Sequence, residues 1–229
     1  MPDSTVAGRV EELAAVGHLA SRLSGEMRQP LSVMRNAVYF LNIHSGADMD
    51  EKARRHLTYL LRAVEEVNNI ASNLETLAGT EVADRQVADV EVLVAAALGR
   101  VQTRSEVSIE TAVDPGAVLF CDSSQIRRAL TNIIDNGIQA LPGEGRIRIV
   151  CQHADRETRI VISDNGPGMS EEVRARAFEP LFTTSSHRVG IGLTVAQRLV
   201  GVCGGRIEIQ SSPGAGTTVT LTFPRHEMP

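Results

Sequence analysis

The chain has 229 residues, a formal charge of -5 at neutral pH and 42% hydrophobic residues, enough for the core of one large or two small soluble domains. The acidic balance argues against binding nucleic acid, because neutralising phosphates requires clustered Lys and Arg. No apolar run approaches the roughly 20 residues of a membrane-spanning helix, and residues 1–20 lack the apolar segment of a signal peptide, so we expect no membrane segment and a cytoplasmic location. Cys121, Cys151 and Cys203 lack metal-binding spacing and are predicted to be core thiols.

The first part of the chain predicts two amphipathic helices. Apolar residues recur in steps of three and four over residues 13–41 and again over residues 57–77, so each segment carries one apolar stripe. Turn-forming residues at 45–48 separate them, which predicts an antiparallel helical hairpin over residues 8–79. Two such helices cannot enclose a core alone, so we expect two copies to form a four-helix bundle, and hence a homodimer.

The remainder, residues 86–229, has a different pattern of short strands alternating with helices. Grouped strands with few helices predict an α+β fold, a sandwich with helices on one face of the sheet. A boundary between the two regions is expected near residues 79–85. The predicted strands cover residues 107–112, 117–121, 146–152, 158–163, 206–210 and 217–223, and the predicted helices residues 123–141 and 191–203.

The predicted helix at residues 123–141 carries two asparagines. Asn132 and Asn136 are four residues apart and therefore project from one helix face, where two amides can coordinate a hard cation and its waters. Asp135 between them is expected to point elsewhere. An exposed polar stripe, or a helix cap, is the alternative interpretation of the pair.

Two glycine-containing motifs follow farther along the chain. Asp164 comes directly after a predicted strand, where a carboxylate can accept the exocyclic amine of adenine, and Gly166 and Gly168 let the backbone approach the base. A common Asp-Asn-Gly turn is the alternative. Gly190 and Gly192 open a predicted helix, whose backbone N–H groups and dipole can face a phosphate.

In this order and spacing, the motifs Asn132–Asn136, Asp164–Met169 and Gly190–Leu193 resemble the N, G1 and G2 boxes of the GHKL ATP-binding fold of sensor histidine kinases. Residues 178–182 resemble the F box of the same family. The resemblance implies a site for ATP and Mg²⁺, with Asn132, Asn136 and Leu193 among its residues, Mg²⁺ held by Asn136, and Thr217 near the base.

The chain departs from the family pattern within this site. Arg188 stands where a glycine usually precedes the G2 motif, in the lid predicted at residues 183–189. This arginine can pair with phosphate, stiffen the lid or simply be solvated. Gly137 replaces a usual alanine, at a helical cost of about 1 kcal/mol. Asn132 stands where related ATPases carry a water-activating Glu, and because an amide is no base, efficient ATP hydrolysis is not expected.

Residues 24–31 resemble the H box, usually HExRxPL, at every defining position except the first, which is Gly25. Glycine has no side chain to phosphorylate, so self-phosphorylation is not possible there. Glu26 would assist a nucleophile at position 25. The resemblance places Gln29 where an amide can orient water to dephosphorylate a response regulator, although both residues can equally be polar helix surface. His18, one heptad earlier, is an alternative acceptor or a solvated residue.

Together these features predict the transmitter core of a sensor histidine kinase. The family reaction transfers the γ-phosphoryl group of Mg-ATP to a protein histidine and relays it to a response regulator, and Gly25 blocks the first step. A phosphoacceptor-less protein, acting as a phosphatase or a nucleotide-sensitive scaffold, is one alternative. A GHKL serine kinase would not need the intact residues 26–31, and a nucleotide-independent interaction protein would not need Asn136 and Asp164.

Overall fold

The structure is a computed structural model that describes residues 31–39, 41, 43, 51–78, 83–101, 103, 105–154, 156–185 and 188–225. It divides into two compact units, Met1–Glu81 and Val82–Pro229. Four residues singled out by the sequence, His18, Gly25, Glu26 and Gln29, lie outside the described residues, and their predicted roles stay predictions.

The first unit contains two helical segments, α1 over residues 31–39 and α2 over Glu51–Ala78. Leu57, Val64 and Ala71 are the buried apolar residues at seven-residue intervals along α2. Seven residues correspond to nearly two helical turns, so the three side chains share one face. This face coincides with the predicted apolar stripe and confirms helix at these positions, whereas the hairpin and the dimeric bundle stay predictions.

The second unit contains two sheets. In the smaller sheet, β1 (Gln86–Asp89) pairs antiparallel with β3 (Val118–Cys121). The strands of the larger sheet are β2 (Val107–Val113), β4 (Gly145–His153), β5 (Glu157–Asp164), β6 (Arg206–Ser211) and β7 (Thr217–Pro224). Their spatial order is β2-β4-β5-β7-β6, with β2 and β4 parallel and the other neighbours antiparallel. The predicted strands agree with these bounds to within one residue at each end.

The helices of this unit are α3 (Val90–Leu98), α4 (Ser123–Ala140), α5 (Glu171–Ala175) and α6 (Gly192–Val202). Helix α4 packs on β4 and β5, α6 packs on β6, and α3 and α6 both contact α4. Along β4, Ile147 and Ile149 are buried whereas Arg146 and Arg148 are exposed. This alternation means that helices cover one face of the sheet and solvent the other, which confirms the predicted sandwich.

Three short elements were not predicted from the sequence: β1, α3 and α5. Helix α3 is apolar almost throughout, so its sequence has little of the 3.6-residue periodicity that distinguishes a helix from a buried strand. Its start is nevertheless encoded, because the Asp89 carboxylate accepts hydrogen bonds from the N–H groups of Glu91 and Val92, at 2.7 and 3.2 Å. Asp122 caps α4 in the same way.

All three cysteines are buried free thiols, which confirms their predicted place in the core. Burial raises the pKa of the Cys121 thiol to about 12 and that of Cys151 to about 11, so both are neutral at physiological pH. Among the helices that the structure describes, none has the length and hydropathy needed to cross a membrane.

Candidate functional site

Asp164 lies at the end of β5, opposite Thr217 of β7. Its Oδ1 accepts hydrogen bonds from the backbone N–H groups of Gly166 and Thr217, at 2.9 and 3.2 Å. Burial raises the pKa of this carboxyl group above its ordinary value, and the two backbone hydrogen bonds act in the opposite direction. The carboxylate is thus held by one backbone N–H group of the loop that follows β5 and by one of β7.

The loop after Asp164 packs backbone to backbone on the loop between β6 and β7. Gly168 and Gly216 both have positive φ, +68° and +75°. A Cβ at Gly168 would lie 2.0 Å from the Ser212 carbonyl oxygen, and one at Gly216 would lie 2.0 Å from the Asp164 carbonyl oxygen. Both glycines are therefore required by loop packing, a need distinct from the predicted approach of a base to Gly168.

Ser211 links the same two loops through its hydroxyl group. Its Oγ accepts a hydrogen bond from the Met169 N–H at 2.9 Å and donates one to the Gly216 carbonyl oxygen at 2.8 Å. It also lies 3.1 Å from Oγ1 of the buried Thr217. Ser211 was not predictable from the sequence, because a lone serine at a strand end carries no recognisable signal.

A second polar group lies on α4. Arg188 donates from Nη1 to Asn136 Oδ1 at 2.8 Å and from Nη2 to Asp135 Oδ2 at 2.5 Å. The expectation that Asp135 points away from Asn136 is wrong, since both side chains reach the same guanidinium group. Arg188 is also not a solvated loop residue, because its side chain is only 29% exposed. The sequence held one signal for this contact. Asp135 is an acidic residue between Asn132 and Asn136 on one predicted helix, and an acidic residue there can pair with a basic one.

Asn132 and the start of α6 lie beside this group. The Nδ2 of Asn132 is buried, and among the described buried side-chain polar atoms it is the one without a hydrogen-bond partner. Its Cβ lies 4.0 Å from the place of a Cβ on Gly192, the first residue of α6. The N-cap position of α6, Ile191, provides no side-chain hydrogen bond, so the first N–H groups of this helix have no capping side chain.

Gly190 and Leu193 complete the segment that positions α6. Gly190 has a φ of +74°, and a Cβ there would lie 2.4 Å from the Phe182 carbonyl oxygen, so only glycine allows this approach. Leu193 is partly buried within the first turn of the helix.

Gly137 lies where the polar group around Asp164 and the polar group around Arg188 approach each other, so the two form one site. It follows Asn136 on α4, and a Cβ there would lie 3.6 Å from the Cβ of Asp164 and 3.7 Å from its Oδ2. The same Cβ would lie 3.0 Å from Cδ1 of Ile147, so the helix approaches the strand more closely than an alanine would comfortably permit. The arrangement is a fixed carboxylate at one end and amides, a guanidinium group and a helix N-terminus at the other.

Comparison with known proteins gives the class of this fold and site. Residues 121–227 match the family of histidine kinase-, DNA gyrase B- and HSP90-like ATPases. The mycobacterial sensor histidine kinase MprB is similar in structure, with a TM-score of 0.57 and 27% identity, over 63% of this chain and 99% of MprB. Full-length ShkA in complex with AMPPNP shares the fold, with a TM-score of 0.69 and 22% identity, over 90% of this chain and 45% of ShkA. The second unit is therefore an ATPase domain of this family.

Similarity extends over nearly the whole chain. The signal transduction histidine-protein kinase AtoS of Escherichia coli (strain K12) is 29% identical over 221 residues, which cover 94% of this chain and 36% of AtoS. Sporulation kinase B of Bacillus subtilis (strain 168) is 26% identical over 218 residues, covering 93% of this chain and 51% of that kinase. The chain spans about a third to a half of the length of these curated relatives. These matches support a sensor histidine kinase catalytic core, in agreement with the resemblance found in the sequence.

Proposed function

We propose that the second unit binds Mg-ATP, with the adenine at Asp164 and the triphosphate between α4 and the start of α6. The observation that carries this proposal is the Asp164 carboxylate, oriented by two backbone N–H groups beside Gly166. A carboxylate oxygen accepts a hydrogen bond from the exocyclic amine of adenine, and Gly166 has no side chain to stand in the way. Thr217, whose N–H holds Asp164, would lie close to the base.

The triphosphate end is supported by groups that need partners. The buried Asn132 Nδ2 is a donor without an acceptor, and the N-terminus of α6 at Gly190, Gly192 and Leu193 offers backbone N–H groups to an anion. No described cluster of three or more His, Cys, Asp or Glu side chains is suited to a metal ion. Mg²⁺ bound mainly by phosphates needs only one or two protein oxygens, and Asn136 would supply one. The residues present therefore fit both ATP and Mg²⁺.

For the whole chain we propose a kinase core that holds Mg-ATP without phosphorylating itself at position 25. Gly25 offers no nucleophile, and Asn132 offers no base that would direct the γ-phosphoryl group to water. Homodimerisation through the helical hairpin and binding of a response regulator are part of the proposal. A related fold, ThkA, has been solved in complex with the response regulator TrrA, at 18% identity and a TM-score of 0.61.

A second candidate function, dephosphorylation of a response regulator under nucleotide control, is favoured by one feature of the sequence. The chain retains Glu26 and Gln29 although residue 25 cannot accept a phosphoryl group. An amide at position 29 can orient a water for attack on a phosphoaspartate without any histidine chemistry.

Calorimetric titration of ATP in the presence of Mg²⁺ tests nucleotide binding, with Asp164→Asn as the variant. An Asn at 164 would keep Oδ1 on the two backbone N–H groups and turn an NH₂ donor toward the adenine amine. We expect affinity to fall at least about tenfold, the cost of a charge-assisted hydrogen bond lost to a facing donor. Glu110→Gln, on the exposed surface of β2, is the matched control and should bind as the wild type does.

Incubation with γ-labelled ATP separates the two functions. We expect no acid-labile label on the wild-type chain and acid-labile labelling of a Gly25→His variant. A variant that binds ATP yet stays unlabelled would reject the kinase core and leave the phosphatase candidate, which is then measured as release of phosphate from a phosphorylated receiver domain.

A further inference from the structure

We propose that Arg188 and Mg²⁺ compete for the side-chain oxygen of Asn136, so that Arg188 sets how much Mg²⁺ this chain needs to bind nucleotide. The inference rests on the proposed function, since it assigns Asn136 to the cation. It concerns a residue that stands where the family usually has a glycine, and a contact that such a glycine cannot make.

Arg188 contacts two neighbouring residues of α4 through two nitrogens of its guanidinium group, an arrangement we call the Arg188 fork. One guanidinium nitrogen reaches Asn136 Oδ1 at 2.8 Å and the other reaches the Asp135 carboxylate at 2.5 Å. The side chains of Arg188 and Asp135 are 29% and 35% exposed, so water screens this ion pair less than a pair on the open surface. A planar guanidinium group suits such a double contact, because its donors have a fixed geometry.

Two cations at the same oxygen repel each other. Mg²⁺ binds its oxygen ligands at about 2.0–2.1 Å, which would bring it within a few ångströms of a guanidinium group hydrogen-bonded to the same atom. Arginine has donors only and stays charged, so it can neither ligate the metal nor lose its proton to relieve the repulsion. In the proposed exchange Arg188 leaves Asn136 when Mg²⁺ binds there, and the free energy of the lost Arg188 contact is subtracted from that of Mg²⁺ binding.

Release of Arg188 also changes the charge around the site. The Asp135 carboxylate loses its ion pair with Arg188 and keeps the hydrogen bonds from the Gln139 amide. Its negative charge is then no longer neutralised, which favours a divalent ion nearby. Arg188 becomes available to the triphosphate. The exchange thus replaces the Arg188 guanidinium group by Mg²⁺ at Asn136. The free energy lost with the Arg188 contact raises the Mg²⁺ concentration that nucleotide binding requires.

The experiment measures binding of a fluorescent ADP analogue over a series of Mg²⁺ concentrations, for the wild-type chain, Arg188→Ala and Arg188→Lys. Loss of the contact in Arg188→Ala should lower the half-saturating Mg²⁺ concentration by about three- to tenfold. Lysine keeps the positive charge but cannot bridge both oxygens as a fork, so Arg188→Lys should shift in the same direction. Arg174→Ala, which removes another arginine paired with an acid, at 4.0 Å on the surface, should leave the Mg²⁺ dependence unchanged.

The outcomes separate this inference from the proposed function. If the wild-type chain binds the analogue at saturating Mg²⁺ and Arg188→Ala shows no lower Mg²⁺ requirement, competition is wrong and nucleotide binding stands. A shift in Arg188→Ala but not in Arg188→Lys would reduce the effect to bulk charge and also overturn competition. No binding by the wild type at any Mg²⁺ concentration would reject the proposed function, and the inference with it. Melting curves of each variant establish that it is folded.

Discussion

The two ends of the candidate site are built differently. At the Asp164 end, backbone groups make the structure: two N–H donors hold the carboxylate, and glycines allow two loops to touch. At the α4–α6 end, side chains make it, through the Arg188 fork on Asp135 and Asn136. Under the proposed function, the first end binds without rearrangement, whereas the second exchanges partners. Backbone therefore fixes the shape of the proposed base site, and side chains set the conditions for binding at the proposed phosphate site.

The largest effect is expected from breaking the backbone-built end with Gly216→Ala. The new Cβ would meet the Asp164 carbonyl oxygen at 2.0 Å, in a residue with a φ of +75°. Because neither backbone can yield cheaply, we expect a loss of roughly 3 kcal/mol or more in the free energy of unfolding. Urea denaturation followed by circular dichroism measures it.

Gly214→Ala is the matched control for that substitution. Gly214 has a φ of +79° in the same loop, but a Cβ there meets nothing within 4 Å. It should cost only the left-handed conformation, about 1–2 kcal/mol. Equal losses in both variants would mean that the two loops adjust to each other, and the contrast between a rigid and an adaptable end would not hold.

The next effect tests the side-chain-built end without nucleotide. Asp135→Asn, Arg188→Ala and the double variant form a double-mutant cycle for the ion pair in the free protein. With both side chains about one-third exposed, we expect a coupling energy of about 0.5–1.5 kcal/mol. Urea denaturation of the four proteins gives this value. A coupling energy of zero would show that this ion pair does not stabilise the free protein, and the cost proposed for cation binding would then have to come from the contact of Arg188 with Asn136.

The sequence predicted the strands of the large sheet and helices α4 and α6 because their apolar residues alternate or recur with clear periods. It missed α3, whose residues are apolar on every side, and β1, which is only four residues long. In the site, the motifs named Asp164 and Asn136 as individual residues. The link between Arg188 and Asp135 was not predictable, because it joins residues 53 positions apart through a loop whose path no local pattern determines. Gly137 was recognised as unusual, but only the structure shows its closeness to Asp164.

A smaller effect is expected where the two ends meet, at Gly137→Ala. An alanine in a helix is worth about 1 kcal/mol over glycine, but this Cβ would lie 3.0 Å from Cδ1 of Ile147. The contact is with the end of a flexible side chain, so we expect the gain to be largely cancelled, within about 0.5 kcal/mol of the wild type. Gly201→Ala, with nothing within 4 Å, should keep a gain of about 0.5–1 kcal/mol. If Gly137→Ala stabilised the protein as much as Gly201→Ala, Ile147 would repack freely and the contact between α4 and β4 would not be tight.

The smallest effect concerns the charge of Asp164 itself. Because burial raises its pKa above the ordinary 3.8, the folded state favours the protonated form, and ionisation disfavours folding increasingly as pH rises from 3.8 through the raised value. Asp164→Asn does not titrate, so the unfolding free energy of the wild type, relative to this variant, should fall as pH rises from about 4 and become constant above the raised pKa of Asp164. The two backbone hydrogen bonds oppose burial, which keeps this slope shallow. Urea denaturation of both proteins across this pH range measures it, and a difference that rises with pH would mean that the hydrogen bonds outweigh burial and that the base site is built for a fully ionised carboxylate.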